Sequence, residues 1–124
     1  MRYHSLLLLA LAVVVVDQVT KFVMPSFITV THNTGAAFGV LQGERALLIL
    51  IGAGVSVFLL WYLRSHHSIW LALILGGAVS NLLDRVIRGY VIDFIDLGWW
   101  PSFNVADSCM TVGVVVLLIQ SLRE

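Results

Sequence analysis

The residues best suited to chemistry lie in one stretch, residues 80–96 (SNLLDRVIRGYVIDFID), directly after the apolar run IWLALILGGAV. The stretch contains three carboxylates, Asp84, Asp93 and Asp96. Charge at the edge of lipid is costly and usually marks a function. Two carboxylates held close together share one proton, so one acts as a base on water while the other protonates a carbonyl. The stretch therefore indicates acid–base hydrolysis, for example of a peptide bond.

Other catalytic arrangements are missing from the sequence. It has no GxSxG nucleophile motif, no HExxH zinc motif and no GxGD motif of the kind some membrane aspartyl proteases carry. Cys109 is the single cysteine, so an internal disulfide and a CxxC metal site are excluded. His66 and His67 are predicted to lie on the opposite side of the membrane from these carboxylates. We expect no metal and no cofactor.

The composition indicates a membrane protein. Of 124 residues, 60% are hydrophobic and only 11% are charged, which leaves too little polar surface for a soluble domain of this size. The net charge is zero, with seven basic and seven acidic residues, so nucleic acid is excluded as a partner. We predict one membrane-embedded domain over residues 1–124.

Four apolar blocks predict four transmembrane helices, at about residues 5–24, 46–63, 69–87 and 105–122. The first block resembles a signal peptide but lacks a small-residue cleavage site, so we interpret it as a retained span. Four spans place both termini on one side. The Lys and Arg counts of the two sides, three and four, do not decide the orientation. We favour cytoplasmic termini.

The two longer connections lie on the side opposite the termini. In residues 25–44 the β-branched run at 28–31 predicts a strand or two on the membrane surface. Residues 88–104 contain the breakers Gly89, Gly98 and Pro101. Trp99 and Trp100 in the same connection suit a membrane interface.

Polar pairs at helical spacing flank these connections. They are Asp17 with Lys21, Asn81 with Asp84, and Asn104 with Asp107. In the last pair, Asn104 is suited to cap the fourth helix, with Asp107 at its third position. The clustering of all these pairs on one membrane side indicates a functional site rather than unrelated caps and interface charges.

Four ordered motifs resemble those of the bacterial lipoprotein signal peptidase (signal peptidase II) family. They are DQVTK (17–21), NTGAAFG (33–39), GGAVSNLLDRVIRGYVIDFID (76–96) and FNVADS (103–108). The resemblance covers nearly the whole chain. It implies an all-α integral membrane fold, in which four transmembrane helices carry a small β-cradle on the outer, periplasmic or extracellular, face.

The resemblance also implies an activity. Members of the family are aspartyl endopeptidases of the bacterial cytoplasmic membrane, with the active site near the outer leaflet. They remove the signal peptide from diacylglyceryl-modified prolipoproteins, cutting just before the lipidated cysteine, and globomycin inhibits them. The partners implied here are the lipidated prolipoprotein, membrane lipid and a globomycin-type inhibitor, and we expect a monomer.

Carried over motif by motif, the catalytic pair falls on Asp93 and Asp107. The supporting or substrate-binding residues implied are Asp17, Lys21, Asn33, Gly35, Asn81, Asp84, Arg85, Asn104 and Ala106. Spacing alone does not choose between Asp84 and Asp93. Asp84 has Arg85 beside it and Arg88 one turn on, and either arginine would hold Asp84 ionised. A member of the catalytic pair must be able to hold a proton, so this argument agrees with the resemblance in favouring Asp93.

We further predict that Asp93 carries the shared proton and Asp107 activates water. Asp93 is flanked by apolar residues, which disfavour its charge, whereas Asp107 lies near a helix N-terminus, which favours it. Asp96 is interpreted as an interface charge. Ser80, where the family commonly has glycine, is interpreted as a small-for-small change at a helix contact.

A different class remains open on the sequence. Small four-helix proton-coupled transporters have a similar length and use one membrane carboxylate per subunit, for which Asp17 would be the candidate. Such a transporter needs neither NLLDR nor FNVADS. A purely structural membrane subunit fits the composition but leaves the polar pairs unexplained.

Overall fold

The computed structural model describes all 124 residues and consists mainly of four long helices. They are α1 (Tyr3–Val23), α2 (Arg45–Leu63), α3 (Ile69–Ile87) and α4 (Val105–Leu122). Each is long and apolar enough to cross a membrane. Two short strands, β1 (Thr31–Asn33) and β2 (Val91–Asp93), form an antiparallel sheet. The predicted fold class, four membrane-spanning helices with a small sheet, is confirmed.

The helices begin and end where local sequence favours it. Both prolines, Pro25 and Pro101, lie in connections, so no helix interior loses a backbone donor. The Ser68 hydroxyl accepts a hydrogen bond from the backbone N–H of Leu71 at 3.4 Å and caps α3. Asn104 caps α4, with its side chain accepting from the backbone N–H of Asp107, as the sequence predicts.

Helix α3 is the centre of the bundle. It packs against α1, α2 and α4, and α1 also contacts α4. The largest buried apolar cluster joins the first half of α1, the second half of α2 and the first half of α3; it contains Leu6, Ala10, Leu59, Leu63, Leu71, Ala72 and Leu75. α3 therefore holds the other helices in place, and α2 is bound mainly to it.

Successive helices run in opposite directions. The Tyr3 hydroxyl at the start of α1 donates to the carbonyl of Leu60 near the end of α2, at 3.0 Å. The Arg45 guanidinium at the start of α2 donates to the carbonyls of Arg85 and Val86 in the last turn of α3, both at 2.8 Å. Both termini therefore lie at one end of the bundle, and both strands connect helices at the other end.

The sheet is small and its position differs from the prediction. Thr31 pairs with Asp93 and Asn33 with Val91. The strand was expected at residues 28–31, but the chain there is still unwinding from α1, because the N–H groups of Phe27 and Ile28 both bond back to the carbonyl of Met24. The strand consists of Thr31–Asn33, so only Thr31 of the expected run joins the sheet.

Glycines let the backbones of α3 and its neighbours approach closely. A Cβ on Gly76 would lie 2.7 Å from the carbonyl oxygen of Ala10 in α1. A Cβ on Gly77 would lie 2.5 Å from the carbonyl oxygen of Ala106 in α4. Close backbone approach at small residues is a general device for packing helices in membranes. Here it sets the spacing of both interfaces next to the polar end.

We predict that Gly77→Ala destabilises the protein by about 1–3 kcal/mol, since the new methyl group collides with backbone that cannot rotate away. The measurement is thermal unfolding in detergent micelles. Gly54→Ala is the matched control, because a Cβ at that helical glycine meets nothing within 4 Å. Equal melting temperatures for Gly77→Ala and the unaltered protein would contradict the tight α3–α4 contact.

Candidate active site

Buried polar side chains converge at the end of the bundle that carries the sheet. They come from α1, α3, β2 and the start of α4, and they are Asp17, Lys21, Ser80, Asn81, Asp84, Asp93 and Asn104. Residues of these types are rarely buried without partners. Their contacts therefore define the site.

Lys21 is the centre of this group. Its ammonium is fully buried and lies 2.5 Å from Asp17 Oδ2 and 3.0 Å from Asp84 Oδ2. It also donates to Asn81 Oδ1 at 3.0 Å. All three hydrogens of the ammonium therefore have acceptors, two of which are carboxylates. Lys21 thus links α1 to α3 by a fully compensated buried charge.

Asp17 extends this link to α4. Its Oδ1 accepts the backbone N–H of Ala106 at 2.8 Å, and its Oδ2 accepts the Ser80 hydroxyl at 2.6 Å. The N–H of Ala106 is one of the donors that the first turn of a helix leaves without an intrahelical partner. Asp17 therefore holds the N-terminus of α4. Ser80 is not only a small residue at a helix contact, because its hydroxyl binds Asp17.

Asp84 holds β2 in the same way, through a backbone N–H. Its Oδ2 accepts the backbone N–H of Ile92 at 3.1 Å, while its Oδ1 lies 2.6 Å from the guanidinium of Arg88. Gln18 donates to the same Oδ1 at 2.8 Å. Of the two arginines considered as partners of Asp84, Arg88 forms the ion pair, one helical turn away.

Arg85 is not a partner of Asp84. Adjacent residues of a helix face different directions, and Arg85 instead donates to the carbonyl of Gly35 at 3.3 Å. Its Nε is buried and has no hydrogen-bond partner within the protein. Of the two arginines that the sequence left open, Arg88 and not Arg85 therefore pairs with Asp84, and Arg85 lines the cavity instead.

Asn104 joins the two aspartates that the family resemblance marks as catalytic. Its Nδ2 donates to Asp93 Oδ1 at 3.0 Å, and its backbone N–H donates to Asp107 Oδ2 at 3.2 Å. Asn81 Nδ2 donates to the other oxygen, Asp107 Oδ1, at 3.0 Å. One asparagine thus contacts both carboxylates and brings β2 next to the first turn of α4.

Asp93 and Asp107 border a cavity of about 710 Å³, which Asp17 and Asp84 do not line. Asn33, Asn81 and Arg85 supply further polar groups to its wall. The rest is largely apolar, formed by α4 and by the connections next to the sheet: Met110, Val112, Val114, Val115, Phe38 and Trp100. The cavity therefore combines two carboxylates with a wall that continues along a membrane-spanning helix.

The environment of Asp93 favours its protonated form. Burial raises the pKa of Asp93 to about 7, and the negative charge of Asp107 acts in the same direction. The hydrogen bond from Asn104 and the charge of Lys21 oppose the rise only in part. Asp93 is therefore a carboxylic acid that holds a proton near neutral pH.

Asn33 and Gly35 shape the chain beside the cavity. Asn33 Oδ1 accepts the N–H of Gly35 at 2.9 Å, and its Nδ2 donates to the carbonyl of Ala36 at 3.2 Å. A Cβ on Gly35 would lie 2.6 Å from the carbonyl oxygen of Val40. The tight turn therefore needs glycine, and it presents the Gly35 carbonyl to Arg85.

The structure thus brings every predicted site residue to one end of the bundle, in two groups. Asp17, Lys21 and Asp84 bind one another and the backbone, and Asp93 and Asp107 face the cavity. Sequence reasoning missed the part taken by Gln18 and Ser80. Gln18 could have been found as a polar residue within an apolar helix. Ser80 could have been found only because it replaces the glycine that is common in the family.

Two carboxylates at one cavity, one of them protonated near neutral pH, can act as acid and base on a bound amide and a water molecule. The two groups would act without a side-chain nucleophile. His66 and His67 lie in the α2–α3 connection at the opposite end of the bundle and take no part.

Comparison with known protein sequences agrees with this geometry. The profile of the family described as signal peptidase (SPase) II matches residues 9–123. A lipoprotein signal peptidase of Symbiobacterium thermophilum is 39% identical, over 91% of this chain and 91% of its own. That of Syntrophotalea carbinolica is 39% identical over 99% and 94%, and that of Mycobacterium leprae 38% over 98% and 73%.

Solved structures give the same result for the fold. One bacterial membrane enzyme, determined by the in meso method at 2.3 Å, matches with a TM-score of 0.88 and 31% identity, over 97% of this chain and 88% of that one. A second, at 1.9 Å, matches with a TM-score of 0.83 and 29% identity, over 98% and 94%. Together with the four membrane-capable helices and the matched profile, these likenesses establish that the chain is a multi-pass bacterial membrane peptidase and belongs to the signal peptidase II family.

Proposed function

We propose that this peptidase removes the signal peptide from diacylglyceryl-modified prolipoproteins, cutting just before the lipidated cysteine. The observation that carries the proposal is the pairing of Asp93 and Asp107 at a cavity whose apolar wall lies along α4. That wall would bind the apolar signal segment of such a substrate and the acyl chains on its cysteine. The scissile peptide bond then lies at the carboxylates.

In this mechanism Asp107 is ionised and takes a proton from a water molecule. The water oxygen bonds to the scissile carbonyl carbon, while Asp93 donates its proton to the carbonyl oxygen. The tetrahedral intermediate collapses when the C–N bond breaks and the amine of the cysteine leaves with a proton from the dyad. The pKa of Asp93, about 7, supports this division of roles, although the two groups titrate as a pair.

The other site residues hold the two carboxylates and the surrounding elements in position. Lys21, Asp17 and Asp84 hold α1, α3, α4 and β2 in register, and Ala106 supplies the backbone donor for Asp17. Asn81 and Asn104 orient the two carboxylates. Asn33 and Gly35 form the turn beside the cavity, and the guanidinium of Arg85, which lines that cavity, would donate to the substrate backbone.

The membrane placement follows from the same proposal. The site lies near the outer leaflet of the bacterial cytoplasmic membrane, with both termini cytoplasmic. Trp99 and Trp100, exposed at the sheet end, are positioned for that outer interface. The proposed site is built from the residues of one chain and needs no second subunit, so we propose a monomer. A globomycin-type inhibitor would bind in the cavity.

The function is tested by incubating the purified protein with a diacylglyceryl-modified prolipoprotein and watching for the shortened product. We expect cleavage that globomycin blocks. We expect the same precursor without its lipid to be cut at least about tenfold more slowly, because it loses acyl contacts that the bilayer and α4 provide. Equal rates for the two precursors would contradict entry from the bilayer.

We predict that Asp93→Asn and Asp107→Asn each lower kcat by about 10²–10⁴-fold or more without unfolding the protein. Asp84→Asn should instead lower stability, by about 3–5 kcal/mol, because it unbalances a buried ion pair. The measurements are turnover and thermal unfolding of purified variants.

Two further variants complete this comparison. Asp96→Asn is the matched control, since Asp96 is exposed and its Oδ1 accepts only the N–H of Gly98 at 2.9 Å; it should retain activity. Arg85→Met should raise KM while leaving measurable turnover. Substantial turnover by Asp93→Asn, with a folded but inactive Asp84→Asn, would move the pair to Asp84 and Asp107.

We predict that kcat/KM falls as the pH rises above about 7, by about tenfold per pH unit, because Asp93 then loses the proton it donates. The charged groups that act on Asp93 are Asp107 from α4, Lys21 from α1 and Arg85 from α3. The measurement is kcat/KM from pH 5 to 9, with unfolding followed at each pH as a control. A profile that stays level to pH 9 would contradict Asp93 as the acid.

A further inference from the structure

A second, smaller cavity of about 160 Å³ adjoins Asp93 on the side of the sheet. It shares Asn33, Phe38, Asp93, Pro101 and Ser102 with the main cavity. None of its lining residues belongs to a membrane-spanning helix. The two cavities therefore meet at the catalytic carboxyl group, with the smaller one among the connections outside the bundle.

The lining of this side pocket is polar. Phe38 and Pro101 are its only apolar side chains; the other residues are Thr31, Asn33, Gly39, Gln42, Asp93 and Ser102. The hydroxyl oxygens of Thr31 and Ser102 lie 3.3 Å apart, and neither hydroxyl makes another side-chain hydrogen bond. Either hydroxyl can donate in this contact, so the pair keeps one hydroxyl hydrogen that the fold does not use.

Gln42 forms the other polar wall. Its Nε2 donates to Asn33 Oδ1 at 3.2 Å, and its Oε1 accepts the hydroxyl of Thr34. The amide has a second N–H that makes no bond within the protein. The pocket therefore offers neutral donors on two sides and one ionisable group, Asp93.

The direction of the substrate through the site decides what enters this pocket. If the proposed function holds, the cysteine side chain carries acyl chains and must point to the bilayer, along the wall formed by α4. In an extended segment successive side chains point to opposite faces. The side chain of the residue after the cysteine then points away from the bilayer, toward the polar pocket.

From this geometry we infer that the side pocket is the subsite for the residue that directly follows the lipidated cysteine, and that it selects small, uncharged, hydrogen-bonding side chains. This inference rests on the proposed function. A carboxylate there would face Asp93 without a cationic partner. An ammonium would pair with Asp93 and hold it ionised, which removes the proton needed for cleavage.

The test uses diacylglyceryl-modified precursors that differ only in the residue after the cysteine: Ser, Asn, Leu, Asp or Lys. We expect kcat/KM of the unaltered protein to be about 3- to 10-fold higher for Ser and Asn than for Leu, the range one or two hydrogen bonds supply. Asp and Lys should be cleaved more slowly than Leu. A second series varies only the residue before the cysteine.

Two variants assign the preference to the pocket. Ser102→Ala and Gln42→Leu should each reduce the ratio of kcat/KM for Ser over Leu toward one. Gln120→Leu, an exposed glutamine near the end of α4, is the matched control and should leave the ratio unchanged. The ratio is informative even if Gln42→Leu disturbs the turn at Asn33, because a general loss of activity affects both substrates. Ser102→Ala removes only one exposed hydroxyl contact within the fold, the one to Thr31.

Equal cleavage of all five precursors, or a ratio that both variants leave unchanged, would overturn the subsite while leaving the proposed function intact. A change confined to the series that varies the residue before the cysteine would also overturn it. If the unaltered protein cleaves none of the lipidated precursors, the proposed function fails and the subsite with it.

Discussion

The buried ammonium of Lys21 is the interaction on which the rest of the site depends. A charge removed from water is tolerated only when it is paired and hydrogen-bonded, and here Asp17, Asp84 and Asn81 provide all three acceptors. With Arg88 on Asp84, the cluster contains two negative and two positive groups. It is therefore neutral as a whole, which suits a position at the edge of a bilayer.

The other carboxylate contacts of that cluster hold the two segments that carry the proposed catalytic pair. Asp17 binds the backbone N–H of Ala106 and so holds the turn that carries Asp107. Asp84 binds the backbone N–H of Ile92 and so holds the residue before Asp93. The two proposed catalytic groups never touch Lys21, yet both are positioned through its partners. A change at the cluster would therefore act on both at once.

Four aspartates at one end of a small bundle differ only in their surroundings. Asp17 and Asp84 are fully buried, and charged or backbone donors hold both oxygens of each. Asp93 and Asp107 receive their hydrogen bonds from neutral amides and open onto a cavity. Burial without a cationic partner lets a carboxyl group hold a proton, as it does at Asp93, where burial raises the pKa. This difference is the basis for proposing that Asp93 and Asp107 react while Asp17 and Asp84 hold the structure.

The sequence by itself determined whatever depends on local spacing. Four apolar runs, extended where needed by their polar flanking residues, predicted the four helices. The four-residue spacing of Asp17 and Lys21 predicted their contact, and the spacing of Asn104 and Asp107 predicted the cap of α4. Each of these involves residues within one turn of a helix, whose geometry is the same in every fold.

Only the tertiary structure decided which aspartates open to a cavity, where the strand begins, and which groups hold Asp84. The sequence left both Arg85 and Arg88 as possible partners of Asp84, but Arg85 faces the cavity and only Arg88 forms the ion pair. Gln18 and Ser80 join the cluster across more than sixty residues of chain. Such contacts depend on the packing of α1 against α3, which no local pattern specifies.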